Sequence, residues 1–126
     1  MARVVHFEVH ADNPERAVAF YEKVFGWRFR HIPEIDYWMV MTGEGPGIDG
    51  GLLRRRGPRP AEGQAVNAFV CTLGVDDVDA AVAAATGAGA TMAVPKMPIP
   101  NVGYVAYVHD TEGNIIGIYQ EDASAA

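Results

Sequence analysis

The sequence predicts an α+β protein built from two copies of a β-α-β-β-β module, and three observations lead there. The first is an internal repeat. The stretch His6 to Ala19 is matched 64 residues later by Val70 to Ala83, with Asp12 falling on Asp76, Asn13 on Asp77, and Ala17-Val18-Ala19 on Ala81-Val82-Ala83. The second is that each copy passes from an apolar segment through acidic turn residues into a helical pattern. The third is that three further strand-like segments follow each helical pattern. They end at the proline-containing polar linker Arg56 to Gln64 in the first copy and at the small, polar tail Glu121 to Ala126 in the second. One domain over residues 1–126 is therefore expected, with module 1 at about 1–55, linker 56–64, module 2 at about 65–120 and tail 121–126.

Taken in order, Val4 to Val9 is rich in β-branched and aromatic residues and is expected as a strand. Asp12 or Asn13 can accept hydrogen bonds from the free amides of the next helix, and Pro14 suits its first position. Ala17, Phe20, Tyr21, Val24 and Phe25 recur at helical spacing, and Gly26 can end the helix in a left-handed conformation. Trp27 to His31, Tyr37 to Thr42 and Ile48 to Arg55 complete the first copy as strands. In the second, Phe69 to Val75 is a strand, and Asp77 caps a helix with Val78, Ala81, Val82 and Ala85 on its apolar side. Gly87 and Gly89 end that helix, and Thr91 to Val94, Gly103 to Val108 and Asn114 to Gln120 are the last strands. The segment Val94 to Val102, with three prolines, is expected as a stiffened loop, and the tail 121–126 as frayed.

A helix covers only one face of such a sheet. Two modules related by a pseudo-twofold can bury their remaining faces by curving mixed sheets around a shared cavity, the natural place for a ligand.

Composition narrows the partners. With 49% hydrophobic and 21% charged residues the chain can build a core, and its formal net charge of −6 argues against nucleic acid. The basic run Arg54-Arg55-Arg56 adjoins the linker and is expected to be a solvated strand end. No segment approaches the length of an apolar membrane span and the N-terminus carries no secretory pattern, so no membrane partner is expected and the location is expected to be cytoplasmic. Cys71 stands alone within an apolar run, which suggests a buried, inert thiol in a reducing compartment.

The run Phe20-Tyr21-Glu22-Lys23-Val24-Phe25-Gly26-Trp27, followed much later by Asp110-Thr111-Glu112-Gly113-Asn114, resembles the vicinal oxygen chelate superfamily over about Val4 to Gln120. That group includes glyoxalase I, bleomycin and fosfomycin resistance proteins and extradiol dioxygenases. The resemblance implies the paired-module fold and, commonly, a homodimer, with domain exchange between protomers as a possible arrangement. It also implies four metal-ligand positions, which fall on His6, Gly51, Val70 and Gly117. Only the first of these carries a coordinating side chain, whereas a catalytic divalent ion generally takes about three protein ligands. No metal and no other cofactor is therefore expected.

Within the first strand, His6, Glu8 and His10 alternate with Phe7 and Val9, so the polar trio shares one face and the apolar pair can pack beneath the helix. His10, at the strand end, is expected to be solvated. Glu8 and His6 are the candidate catalytic pair, with Glu8 as a base and His6 as a polarising group. The candidate ligand-binding set is His6, Glu8, Gly51, Val70, Thr72, Gly117, Tyr119 and Tyr104. Tyr37, Trp38, Met39 and Met41 must divide between core and cavity. Gly45 to Gly50 fits the spacing G-x-G-x-x-G but opens no helix, so it is expected as a turn between strands.

Three functions remain open at this point. One is a protein that binds a small, partly apolar molecule. Another is a lyase- or isomerase-type enzyme using Glu8 and His6, with or without a non-standard divalent metal. The third is a structural module with no physiological ligand.

Overall fold

Asn13 and Pro14 set the start of the first helix. In the computed structural model, which describes residues 1–126, helix α1 spans Pro14–Phe25. Asn13 Oδ1 accepts from the Arg16 amide at 3.1 Å, and the proline takes a position whose amide would have no helical partner. Gly26 ends the helix at φ 70°, with its amide donating to the Glu22 carbonyl. Asp12 is not the cap. Its carboxylate accepts from Arg55 Nε at 2.9 Å and Arg59 Nη1 at 3.1 Å. Part of the basic run thus ties the strand end and the linker to the turn before α1.

Met1–Arg59 and Pro60–Ala126 form two compact units. The first holds β1 (Phe7–Ala11), α1, β2 (Arg28–Ile32), a 3-10 turn (Pro33–Ile35), β3 (Tyr37–Met41) and β4 (Gly50–Arg54). Its sheet order is β1-β4-β3-β2, with β1 parallel to β4 and the other pairs antiparallel. The second unit holds β5 (Thr72–Gly74), α2 (Val78–Gly87), β6 (Thr91–Ile99), β7 (Gly103–His109) and β8 (Ile115–Glu121). Its order, β5-β8-β7-β6 with β5 parallel to β8, repeats the first. Each is the expected β-α-β-β-β unit.

The aromatic run found in the sequence is the core of the first unit. Tyr21 stacks on Trp27 at 4.6 Å between ring centroids, Phe20 meets Tyr21 edge-on at 4.9 Å, and Phe7 of β1 reaches Trp27 at 5.6 Å. Such pairs add about 1 kcal/mol each beyond area burial, which is why this motif marks a fold. Val9, Ala11, Trp38, Val40 and Leu52 are buried with them. The second unit packs smaller residues, with Val78 and Ala85 of α2 buried along with Ala106, Val108 and Ile118. Asp77 Oδ1 caps α2 by accepting from the Ala80 amide at 3.0 Å. The Asp110 to Asn114 motif is the β7–β8 turn. Asp110 Oδ1 accepts from the Glu112 and Asn114 amides at 2.8 and 2.9 Å, and Gly113 adopts φ 81°.

Several boundaries differ from expectation. β1 begins at Phe7 rather than Val4 because its partner β4 begins at Gly50, opposite Phe7. β5 is only Thr72–Gly74, and Phe69 before it is fully exposed. Cys71 is exposed, not buried. The proline segment from Val94 is largely strand: β6 runs through Pro95 and Pro98 to Ile99 with two register shifts. As the edge of its sheet, β6 can spare the amides that proline lacks. The tail is not frayed. β8 extends to Glu121, the Ala125 carbonyl accepts from the Asn101 amide at 2.9 Å, and Ala125 is 2% exposed.

Candidate functional site

Strand alternation and register divide each sheet into a face covered by its own unit's helix and a face that this helix leaves open. In the first unit Phe7 and Val9 point under α1, while Glu8 and His10 stand on the open face with their register partners Gly51 and Leu53. Tyr37 and Met39 of β3, opposite Leu53 and Gly51, share that face, whereas Trp38 is buried on the other. His6 lies just before β1.

Three of these side chains form one hydrogen-bonded row. The Tyr37 hydroxyl donates to Glu8 Oε2 at 3.2 Å, and His6 Nε2 lies 3.0 Å from the same hydroxyl oxygen. A phenol has one proton to give. With that proton on Glu8, His6 Nε2–H must be the donor to Tyr37. Burial, the charge of Glu8 and the hydrogen bond to it, in that order, raise the Tyr37 phenol above its ordinary pKa of 10.0. On the other side of the carboxylate, His10 Nε2 stands 3.7 Å from Glu8 Oε1, longer than a hydrogen bond.

Gly51 makes this row possible. A Cβ at this position would overlap the Tyr37 hydroxyl and ring. The ring therefore occupies the space in which a side chain on residue 51 would begin. Sequence reasoning named His6, Glu8 and Gly51 but left Tyr37 among the general aromatics. The available signal was a tyrosine beside a glycine-bearing strand, and it carried no distance.

The second unit repeats the backbone without the ionisable groups. Thr72 is the register partner of Gly117, as Glu8 is of Gly51. Tyr107 also pairs with Gly117 across β7 and β8. A Cβ on Gly117 would lie 2.7 Å from Thr72 Oγ1 and 3.1 Å from Tyr107 Cε1. Tyr119 is on this face, two residues along β8 from Gly117, and its hydroxyl donates to the Val102 carbonyl at 3.2 Å. Tyr104 lies on the opposite, α2-covered face. It alternates with Tyr107, its ring carries Lys96 Nζ at 4.7 Å, and that ammonium pairs with Asp79 of α2 at 3.1 Å. Tyr107, rather than Tyr104, is the β7 tyrosine beside Thr72. Val70 lies outside β5 and is exposed, so the structure does not set it in a strand.

The glycine-rich segment expected as a turn joins β3 to β4. Its Asp49 accepts from the Thr42 amide at 2.9 Å, and a strand, not a helix, follows. No group of three or more His, Cys, Asp or Glu side chains comes together as a metal would require. No helix is long and apolar enough to cross a membrane.

Two β-α-β-β-β units in one chain define a class of paired-module proteins, and comparison places the chain within it. Residues 3–118 match the Glyoxalase/Bleomycin resistance protein/Dioxygenase superfamily, and the chain belongs to that family. Its fold is similar to that of a glyoxalase/bleomycin resistance protein/dioxygenase family enzyme from Burkholderia phytofirmans PsJN, with TM-score 0.72 and 21% identity over 96% of this chain and 100% of that one. It is also similar to a glyoxalase-related enzyme from Fulvimarina pelagi (TM-score 0.72, 19% identity, 100% and 98% covered). A third similar structure is the fosfomycin resistance protein FosX from Mesorhizobium loti (TM-score 0.71, 18% identity, 97% and 94% covered). Identities this low carry the fold and not the chemistry. Comparison with curated proteins finds no significant match.

Proposed function

We propose that this protein binds a small, partly apolar molecule at the open face of its first sheet, without the divalent metal common in its family. The hydrogen-bonded row His6–Tyr37–Glu8 carries this reading. It sets a carboxylate and an imidazole on the same face as the half-buried side chain of Met39, a face that no helix of that unit covers. The metal-free part rests on the donor set. Gly51 and Gly117 bring no donor, Tyr37 fills the space at Gly51, and His6, Glu8 and the neighbouring His10 do not converge as a metal would require. Elemental analysis of the purified protein tests it: one tightly held divalent ion per chain, lost in Glu8→Ala, would sink it. A thermal-shift screen tests the binding itself, since a ligand that binds only the folded state raises Tm. Hits should lose their effect in Glu8→Ala.

A second reading is favoured by the hydrogen bond from the Tyr37 hydroxyl, which holds the Glu8 carboxylate through Oε2 and leaves Oε1 outside that bond. In a lyase or isomerase, Glu8 would take a proton from the substrate and His6 would polarise it. Turnover abolished by Glu8→Gln, with folding intact, separates this reading from simple binding.

A homodimer completes the proposal. Val4 and Val5 before β1, and Val66, Phe69 and Val70 before β5, are exposed apolar residues leading into strands at sheet edges. A second copy supplies a matching edge. Sedimentation of Val5→Asp and Phe69→Asp should show monomers, and unchanged dimers would exclude these edges as the interface.

A further inference from the structure

We propose that Tyr37 is the positioning residue of the first-sheet site, and that the row it builds selects ligands carrying a hydrogen-bond donor, neutral or cationic, over anions. The inference rests on the small-molecule reading and adds a ligand class to it. Tyr37 is seated in the space that residue 51 leaves by having no side chain. From there one hydroxyl serves two neighbours, accepting from His6 Nε2 and donating to Glu8 Oε2. The donors of the row are thereby spent inside it. The groups left open to a ligand are acceptors: Glu8 Oε1, on a side chain 43% exposed with His10 at 3.7 Å, and His6 Nδ1, the acceptor nitrogen of the tautomer that donates through Nε2.

An alcohol, amide or ammonium group satisfies that oxygen. A carboxylate or phosphate would set its charge against it, at an energetic cost. The arginines on this face do not change the balance. Arg30 pairs with Met39 on the far edge strand β2, three strand spacings, or about 14 Å, from β1. Half-buried Met39, on the strand beyond Gly51, offers apolar contact for the rest of the molecule.

Benzylamine, benzyl alcohol and benzoate share a ring and differ in the polar group, so they serve as probes. Each is titrated against 15N-labelled protein while the amide signals of Glu8, Tyr37 and Gly51 are followed. Benzylamine and benzyl alcohol should move these signals, with the amine about tenfold tighter because it meets a carboxylate, and benzoate should not move them. Tyr37→Phe keeps the ring but releases both neighbours, and it should weaken benzylamine binding about fivefold. Gly51→Ala should weaken it at least as much, because a methyl group there displaces the flexible end of Tyr37. Circular dichroism checks that both variants fold.

Benzoate binding as tightly as benzylamine would overturn the proposal, as would Tyr37→Phe leaving benzylamine affinity unchanged. A thermal-shift hit that maps to this face but shows no donor preference would also overturn it while leaving the small-molecule reading intact. If neither the probes nor any screened compound bind there, both fall.

Discussion

On the first sheet Glu8 stands opposite Gly51 and Tyr37 bends over the glycine, while on the second Thr72 stands opposite Gly117 with Tyr107 beside it. The backbone device is the same in both: a glycine in the last strand, a polar residue on the parallel first strand, and a tyrosine from the adjacent strand beside the glycine, although in the second unit Thr72 comes closer to it than Tyr107 does. The chemistry differs because the first copy carries a carboxylate and an imidazole and the second only hydroxyls. The cores diverge as well. Phe7 lies over Gly50, whereas 64 and 66 residues on the repeat has Cys71, exposed just before β5, and buried Ile116, so the packed bulk has moved to the last strand. A duplicated fold thus keeps its topology while large and small side chains trade places, because packing requires the sum of volumes and not the identity of each residue.

That exchange gives the largest expected effect. In Gly50→Ala the new methyl would overlap the Phe7 carbonyl oxygen, which is backbone and cannot swing away. Urea unfolding should show a loss of about 3 kcal/mol. Ile116→Ala, at the matching place, leaves a cavity instead and should cost about 3 kcal/mol by a different route. Its structure should show unchanged strand spacing, whereas β1 and β4 should separate in the glycine variant.

The helix caps are where the halves should agree. Asn13→Ala and Asp77→Ala each remove one cap hydrogen bond and should each cost about 1 kcal/mol in the same assay. A difference above about 1 kcal/mol would mean that tertiary contacts, not the cap, dominate one of them.

A subtler test concerns Tyr37. Glu8→Gln removes the charge that raises its pKa and weakens the hydrogen bond, leaving burial, the largest cause, so the value should fall toward 10.0. Tyrosine-labelled 13C NMR across alkaline pH follows it directly. The sign for stability follows from linkage. A phenol with a folded pKa above its unfolded value adds stability that is fully present below about pH 10 and lost as pH climbs through the folded pKa. Wild type should therefore lose stability at alkaline pH more steeply than Tyr37→Phe, with Glu8→Gln between them. Equal slopes would place the phenol outside the row.

The smallest effect on stability, within about 0.5 kcal/mol, is expected for Thr72→Glu, because Thr72 is exposed. Its value is functional. If a carboxylate beside Tyr107 alone creates a second benzylamine site, the tyrosine–carboxylate pair suffices. If it does not, the pair alone is insufficient, in keeping with a part for His6 in the proposed first site.

Much of this was legible without coordinates. The repeat, the caps at Asn13 and Asp77 and the stop at Gly26 follow from local chemistry, since each depends on residues within one helical turn. The separation of Glu8 from Phe7 and Val9 follows from strand alternation alone. Tyr104 was misplaced because a shift of one residue in register moves every side chain to the other face, and register is set between strands far apart in sequence. Cys71 and the tail were misjudged for a related reason: composition says what a segment prefers, and only its neighbours say what covers it.

What the sequence alone determined, then, was the family fold and the presence of glycine or valine at three of the four ligand positions that the family resemblance implies. What only the tertiary structure decided was the use made of the vacancy at Gly51. Tyr37 is fourteen residues away along the chain and two strands from β1 in the sheet, yet it fills that space and joins His6 to Glu8. A missing side chain is visible in a sequence. The group that moves into its place is chosen by distances across the sheet, which no local pattern records.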